Sequence, residues 1–196
     1  MSQVMFVFVV GAALGLFYDS LHCYWNVLSY AVPHFWRESV FVPMNFGIAT
    51  VAYYFVVRGL PRSVKSRLSQ ESVSFLRLLF DASLLLCAYL SNGLLSAPWG
   101  DSRTWFNVGI LIMLGLIGFL SRNKWSWELL GLVLFLMIVG PSAEALLSRS
   151  GFFAYTHADW SGIPYWLPLL WFVAAQLFYS FGLAVLKFES LKAKSK

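Results

Sequence analysis

Six side chains of the kinds that carry acid-base or metal chemistry fall where long apolar runs end: Asp19, His22, His34, Glu144, His157 and Asp159. Together they could relay protons or offer oxygen and nitrogen ligands. Their spacing presets neither, because no H-x-x-x-H pair, H-E-x-x-H helix or aspartate-rich motif fixes ligand geometry. No nucleophile elbow, phosphate-binding loop or dinucleotide fingerprint is present either. No catalytic residue, metal or cofactor is therefore assigned, and structural or interfacial roles are preferred for these side chains. Asp19 and His22, three apart, share one helix face at the end of the first apolar run. Glu144 follows Pro141, which bends a helix and frees a backbone carbonyl, and a kinked acidic helix end commonly lines a cavity. Asp81 stands four residues after Arg77, the spacing of an ion pair on one helix face. Such a pair near the membrane surface is the expected role, with a ligand contact as the alternative.

The elements that must position these residues are helices in a bilayer. With 59% hydrophobic and 12% charged residues in a chain of 196, too little polar surface exists to cover a soluble globule of this size. The expected fold is all-α, a single domain over residues 1–196 built as a bundle of six transmembrane helices. The spans lie at about 4–22, 39–57, 73–95, 105–120, 125–147 and 164–186, each near the length needed to cross the hydrocarbon core. Gly11 and Gly15 in the first span have the small-xxx-small spacing that lets another helix approach closely. Residues 23–38, with Trp25, Tyr30, Pro33, His34, Trp36, Arg37 and Glu38, read as an interfacial segment. Residues 58–74 read as a hydrophilic loop. No internal repeat and no linker to a second domain is expected.

The formal charge of +5 belongs to topology and not to a nucleic-acid partner, since the basic residues sit between the apolar runs. Arg58, Arg62, Lys65, Arg67, Arg122, Lys124, Lys187, Lys192, Lys194 and Lys196 fall on the side of the termini, against Arg37, Arg103 and Arg149 opposite. The positive-inside rule then makes both termini cytoplasmic. The first apolar run has no preceding Lys or Arg and no small-residue cleavage site, which suits a retained helix better than a signal peptide. Cys23 and Cys87 lie in different spans and support neither a disulfide framework nor a zinc site.

Between the fifth and sixth spans, residues 151–168 read GFFAYTHADWSGIPYWLP, a polar and aromatic turn at the outer surface. Trp160, Tyr165, Trp166 and Trp171 suit the headgroup layer, and Pro164 and Pro168 suit a helix entry. Asp159 is expected to accept hydrogen bonds from turn amides, with Tyr155 and Trp166 packing over the outer mouth of the bundle.

Two motifs carry a family resemblance. Phe41, Val42, Pro43, Gly47 and Ala49 resemble the W-V-P-x-x-x-G-x-A stretch of the insulin-induced-gene (Insig) proteins. Gly151, Tyr155, Thr156, Asp159, Trp166, Leu167 and Pro168 are similar to that family's G-V-Y-Q-Y-T-x-x-D and S-W-L-P pattern, without change of spacing. The resemblance implies a short, bacterial-type membrane sensor that performs no catalysis and whose helices enclose a pocket for a sterol-like or diacylglycerol-type lipid. In animals such proteins hold the sterol-regulatory escort protein and the sterol reductase in the endoplasmic reticulum. The family's F-D-R-S-R-S-G stretch corresponds here to Phe119-Leu120-Ser121-Arg122-Asn123, without the aspartate associated with the escort protein, so the membrane partner is left unidentified. Lipid-binding candidates are Asp19, His22, Pro43, Asp81, Glu144, Tyr155 and Trp166, and the structural hairpin residues are Gly151, Thr156, Asp159, Leu167 and Pro168. The expected setting is a cell inner membrane in a bacterium or the endoplasmic reticulum in a eukaryote, with a homo-oligomer as one form of partnership. The alternative is a membrane-embedded enzyme acting on an isoprenoid or lipid through Asp19, His22, Glu144 and His157. A loose likeness of Glu144, Gly151, Phe153 and Tyr155 to carotenoid-modifying membrane proteins supports it.

Overall fold

The computed structural model describes residues 2–69, 73–122 and 127–194, the side chains of 69 and 189–194 excepted. In chain order the elements are α1 (Gln3–Tyr24), β1 (Leu28–Tyr30), α2 (Phe41–Gly59), α3 (Arg62–Ser69), α4 (Phe75–Leu95), α5 (Ser102–Leu120), α6 (Trp127–Arg149), β2 (Phe153–Tyr155) and α7 (Leu167–Lys194). Among the described residues, six of the seven helices, all but α3, are long and apolar enough to cross a membrane, as the hydropathy predicts. The starts of α1, α4 and α5 carry side-chain caps: Ser2 accepts from Met5 N, Ser74 from Arg77 N and Asp101 from Arg103 N, each relieving one of the amides a helix start leaves unpaired.

Two expectations need correction. The stretch expected as a hydrophilic loop contains the short helix α3, which packs on α7. The sixth span starts at Leu167 and not at Pro164, because 164–166 form a turn closed by Leu167 N donating to Pro164 O at 3.2 Å. Lys124, Lys196 and the side chains of Lys192 and Lys194 lie outside the described residues.

The long helix α7 is the axis of the bundle. It packs against α2, α3, α4, α5 and α6, and Leu170, Val173, Ala175, Gln176, Ser180 and Leu183 along it are buried.

A third correction is the largest, because the chain does contain an internal repeat. α1-β1-α2 and α6-β2-α7 are built alike, with each residue of the first matching the residue 125 positions later in the second. Positions 26 and 151, 30 and 155, and 43 and 168 are examples. Both α1 and α6 end in a Schellman motif. Asn26 N donates to Cys23 O and Val27 N to His22 O; Gly151 N donates to Ser148 O and Phe152 N to Leu147 O. The residue after each C-cap is left-handed, Asn26 at φ 55° and Gly151 at φ 77°, as this motif requires.

The strands that follow pair with each other. Leu28 opposes Tyr155, Ser29 opposes Ala154 and Tyr30 opposes Phe153. That antiparallel register maps onto itself when the two copies are exchanged, so a pseudo-two-fold axis passes between Ser29 and Ala154. Each copy then makes a tight turn, closed by a bridge between Phe35 and Glu38 in one and between Trp160 and Ile163 in the other. Both central residues of each turn have positive φ, namely Trp36 and Arg37, and Ser161 and Gly162, the signature of a type I′ turn. Within each copy a glycine lets the two helices meet. A Cβ on Gly15 would overlap the ring of Phe46, and one on Gly140 would overlap the ring of Trp171, the residue equivalent to Phe46.

Candidate functional site

The repeat brings the acidic helix ends together beneath the two-stranded ribbon. Asp19 on α1 accepts from the phenol of Tyr30 on β1 at 2.5 Å. Its counterpart Glu144 on α6 accepts from the phenol of Tyr155 on β2 and from Trp171 Nε1 on α7 at 2.8 Å. Asp19 is 6% exposed. Burial, reinforced by the neighbouring carboxylates, pushes the phenols of Tyr30 and Tyr155 well above their ordinary range, so they remain donors at any physiological pH.

Beside these carboxyls runs a buried polar chain between α1, α4 and α5. His22 Nε2 lies 3.4 Å from Asn92 Nδ2, Asn92 Oδ1 accepts from Asn107 Nδ2 at 2.9 Å, and the hydroxyl of Ser91 donates to Asn107 Oδ1. The His22 ring lies over Tyr89 with centroids 4.3 Å apart and meets Trp166 edge-on at 5.9 Å. Trp166 in turn stands edge-on to Tyr155. Trp166 is 1% exposed, and its indole N–H has no acceptor.

Of the lipid-binding candidates, Asp19, His22, Glu144, Tyr155 and Trp166 therefore converge at this end of the bundle. Pro43 is half-buried in the first turn of α2. Asp81 is elsewhere. It is fully buried at the opposite end, where Arg77 Nη2 approaches at 2.7 Å, Arg122 Nη2 at 3.1 Å and Ser180 Oγ at 2.5 Å. Arg77 also donates to Ser121 Oγ and Gly118 O, and Arg122 to Gln176 O and Ser180 Oγ while lying over the Tyr179 ring. The expected Arg77–Asp81 pair is thus present within a larger cluster tying α4, α5 and α7. A buried carboxylate so closely matched is a structural clasp.

The hairpin residues hold the ribbon in place. Thr156 N donates to Val27 O at 2.9 Å, and the Thr156 hydroxyl donates to Asn26 O, locking one copy to the other. Asp159 accepts from Tyr165 N at 3.0 Å and from Trp99 N at 3.2 Å, so it joins its own turn to the α4-α5 loop. Leu167 is fully buried and Pro168 half-buried in the first turn of α7. His34 is exposed and His157 half-buried in the loops at the ribbon end, apart from the carboxyl cluster. Outside it too, Arg103 holds Asp101 below the usual carboxylate range.

Sequence reasoning missed Glu38, Tyr89, Asn92 and Asn107. Asn92 and Asn107 carried a signal, since an amide inside an apolar span needs a partner. Glu38 carried one only through its position in the repeat. Among the described residues, no three His, Cys, Asp or Glu side chains converge as a metal ion would need.

No family model matches the sequence, and no curated protein matches it. Two crystal structures of the mycobacterial Insig homologue MvINS, from Mycobacterium vanbaalenii, share its fold. One, of a cross-linked trimer of a variant, aligns with a TM-score of 0.76 over 95% of both chains, at 20% identity. The other aligns with a TM-score of 0.74 over 93% of both chains, also at 20% identity. The chain is an integral membrane protein with the fold of a bacterial Insig homologue.

Proposed function

We propose that this Insig-like membrane protein binds a neutral, hydroxyl-bearing lipid, sterol-like or of the diacylglycerol type, in the outer half of its bundle and acts as a lipid sensor without catalysis. The observation that carries the reading is the Trp166 indole N–H, a buried donor with no acceptor beside His22 and Tyr155. Leaving such a donor unpaired in an apolar interior costs about 1–3 kcal/mol, which a ligand oxygen recovers. Asp19 and Glu144 supply acceptors in the same region. The sensor reading also takes the bundle to bind an unidentified membrane protein or a second copy of itself, in keeping with the trimer named for the mycobacterial neighbour. The gathering of Arg58, Lys65, Arg77, Arg122 and Lys187 at one end of the bundle supports a cytoplasmic position for that end and for both termini.

Native mass spectrometry of the purified chain tests the binding step: a retained neutral lipid is expected, reduced in Trp166→Phe, which keeps an aromatic ring but removes the N–H donor. Purification with no lipid from a lipid-replete membrane sinks the proposal. The enzyme reading rests on the convergence of Asp19, His22 and Glu144. It requires turnover that Glu144→Gln abolishes while lipid retention persists.

A further inference from the structure

The two copies of the repeat differ at their polar positions, and the difference leaves the first copy short of donors. In the second copy Glu144 receives both Tyr155 and Trp171 Nε1, and the residue that closes the turn is Ile163, 2% exposed. In the first copy Asp19 receives Tyr30, the position of Trp171 is taken by Phe46, which donates nothing, and the position of Ile163 is taken by Glu38. Glu38 is fully buried, at 0% exposure, and neither of its carboxyl oxygens has a hydrogen-bond partner.

The fold does not require a carboxyl there, since isoleucine fills the equivalent slot. An unpartnered buried carboxyl is costly, and the turn that carries it adds strain, with Trp36 at φ 46° and Arg37 at φ 67° where the second copy has Ser161 and Gly162. The neighbouring cation does not serve Glu38, because Arg37 Nη1 donates to Asn26 Oδ1 at 3.0 Å. Glu38 lies within electrostatic reach of Asp19 and Cys23 on α1 and of Tyr89 on α4, at the edge of the proposed lipid site. Burial, followed by the charge of Asp19, pushes its carboxyl up to about 8. At pH 7 it is a neutral acid that both donates and accepts, the same pair of capacities as an alcohol.

We propose that Glu38, beside Asp19, is the receptor for the head hydroxyl of the bound lipid, and that it sets selectivity for a free alcohol over its ether or ester. This rests on the lipid-binding reading above. The first copy of the repeat is the ligand-reading half, and the second, internally satisfied, is its scaffold.

The test uses the full chain in detergent and two probe pairs, 1,2-dioctanoylglycerol and cholesterol, each against its own O-methyl ether. The wild type should bind at least one alcohol about tenfold or more tightly than the ether, since the ether cannot donate and leaves a buried acceptor unpaired. Glu38→Ile, which installs the repeat's own residue, should melt at or above the wild-type temperature while its alcohol-to-ether ratio falls to within about twofold of one. Glu38→Gln, still able to accept and donate, should keep most of the preference. A wild type that binds alcohol and ether alike, or a Glu38→Ile chain that keeps the preference, overturns the role of Glu38 and leaves the lipid reading standing. If none of the four probes binds the wild type, both fall.

Discussion

Asp19 and Glu144 hold the same position in the two copies of the repeat, each capped by the phenol of a tyrosine eleven residues further along the chain. The end of a helix, a Schellman turn and two strand residues separate acid from phenol in both, so the geometry is produced twice by the same local rules. The copies differ in support, since Glu144 has a second donor in Trp171 and Asp19 has Phe46 at that place.

Removing the phenols should therefore have unequal effects. Tyr30→Phe strips the described donor from Asp19 and should destabilise by about 2–3 kcal/mol, whereas Tyr155→Phe leaves Trp171 on Glu144 and should cost closer to about 1 kcal/mol. Thermal unfolding in detergent measures both, and an equal or reversed order contradicts the asymmetry of the two halves.

The glycines of the repeat should behave alike. Gly15→Ala and Gly140→Ala each drive a methyl group into an aromatic ring on the partner helix, and each should cost about 1–3 kcal/mol by overpacking. Gly131, with open space around its ideal Cβ, is the control; Gly131→Ala should be neutral or slightly stabilising in a helix interior.

At the basic end, Asp81→Ala should destabilise by about 3–5 kcal/mol, because Arg77 and Arg122 would be left part-buried without their counter-charge. Replacing Asp81 should leave the alcohol-to-ether preference of any folded protein unchanged, which separates this cluster from the end that carries Glu38.

Stability should depend on pH through Glu38. Its folded value, about 8, lies above the ordinary 4.5, so between those limits the folded chain holds a proton that the unfolded chain has released. Stability contributed by this group is therefore greatest below about 4.5, falls as pH rises through the window and levels off above about 8. Glu38→Gln should flatten the melting temperature across that range relative to the wild type; an unchanged slope places the titration on another group.

The Asp159 turn should brace the proposed site. Asp159→Ala removes the acceptor shared by Tyr165 N and Trp99 N and should cost on the order of 1 kcal/mol. Trp166→Ala empties a fully packed position and should cost about 3–5 kcal/mol. Added lipid at about a hundred times its dissociation constant should return about 2.7 kcal/mol to any variant that still binds it. Loss of Trp166 without effect on melting or lipid retention would disprove the bracing role.

The six spans and their approximate ends were legible in the sequence because hydropathy, helix length and the bilayer's lack of hydrogen-bonding partners leave few alternatives. The Arg77–Asp81 pair was legible too, since a four-residue spacing on one helix needs no tertiary information. The motifs around Pro43 and Pro168 were each visible, and each was read as an isolated signature. That they are the same element used twice could not be read from residue identity, because the copies share backbone hydrogen bonds and positive-φ positions more than side chains: Asn26 matches Gly151, Arg37 matches Gly162 and Asp19 matches Glu144. Only the tertiary structure pairs Leu28–Tyr30 with Phe153–Tyr155 across more than a hundred residues, and that pairing carries both phenols to their carboxyls. It also decides that Asp81 belongs to the clasp and that Glu38 is buried without a partner at the end that carries Asp19, for burial and partnership are properties of packed neighbours, and neighbours distant in sequence are supplied by the fold.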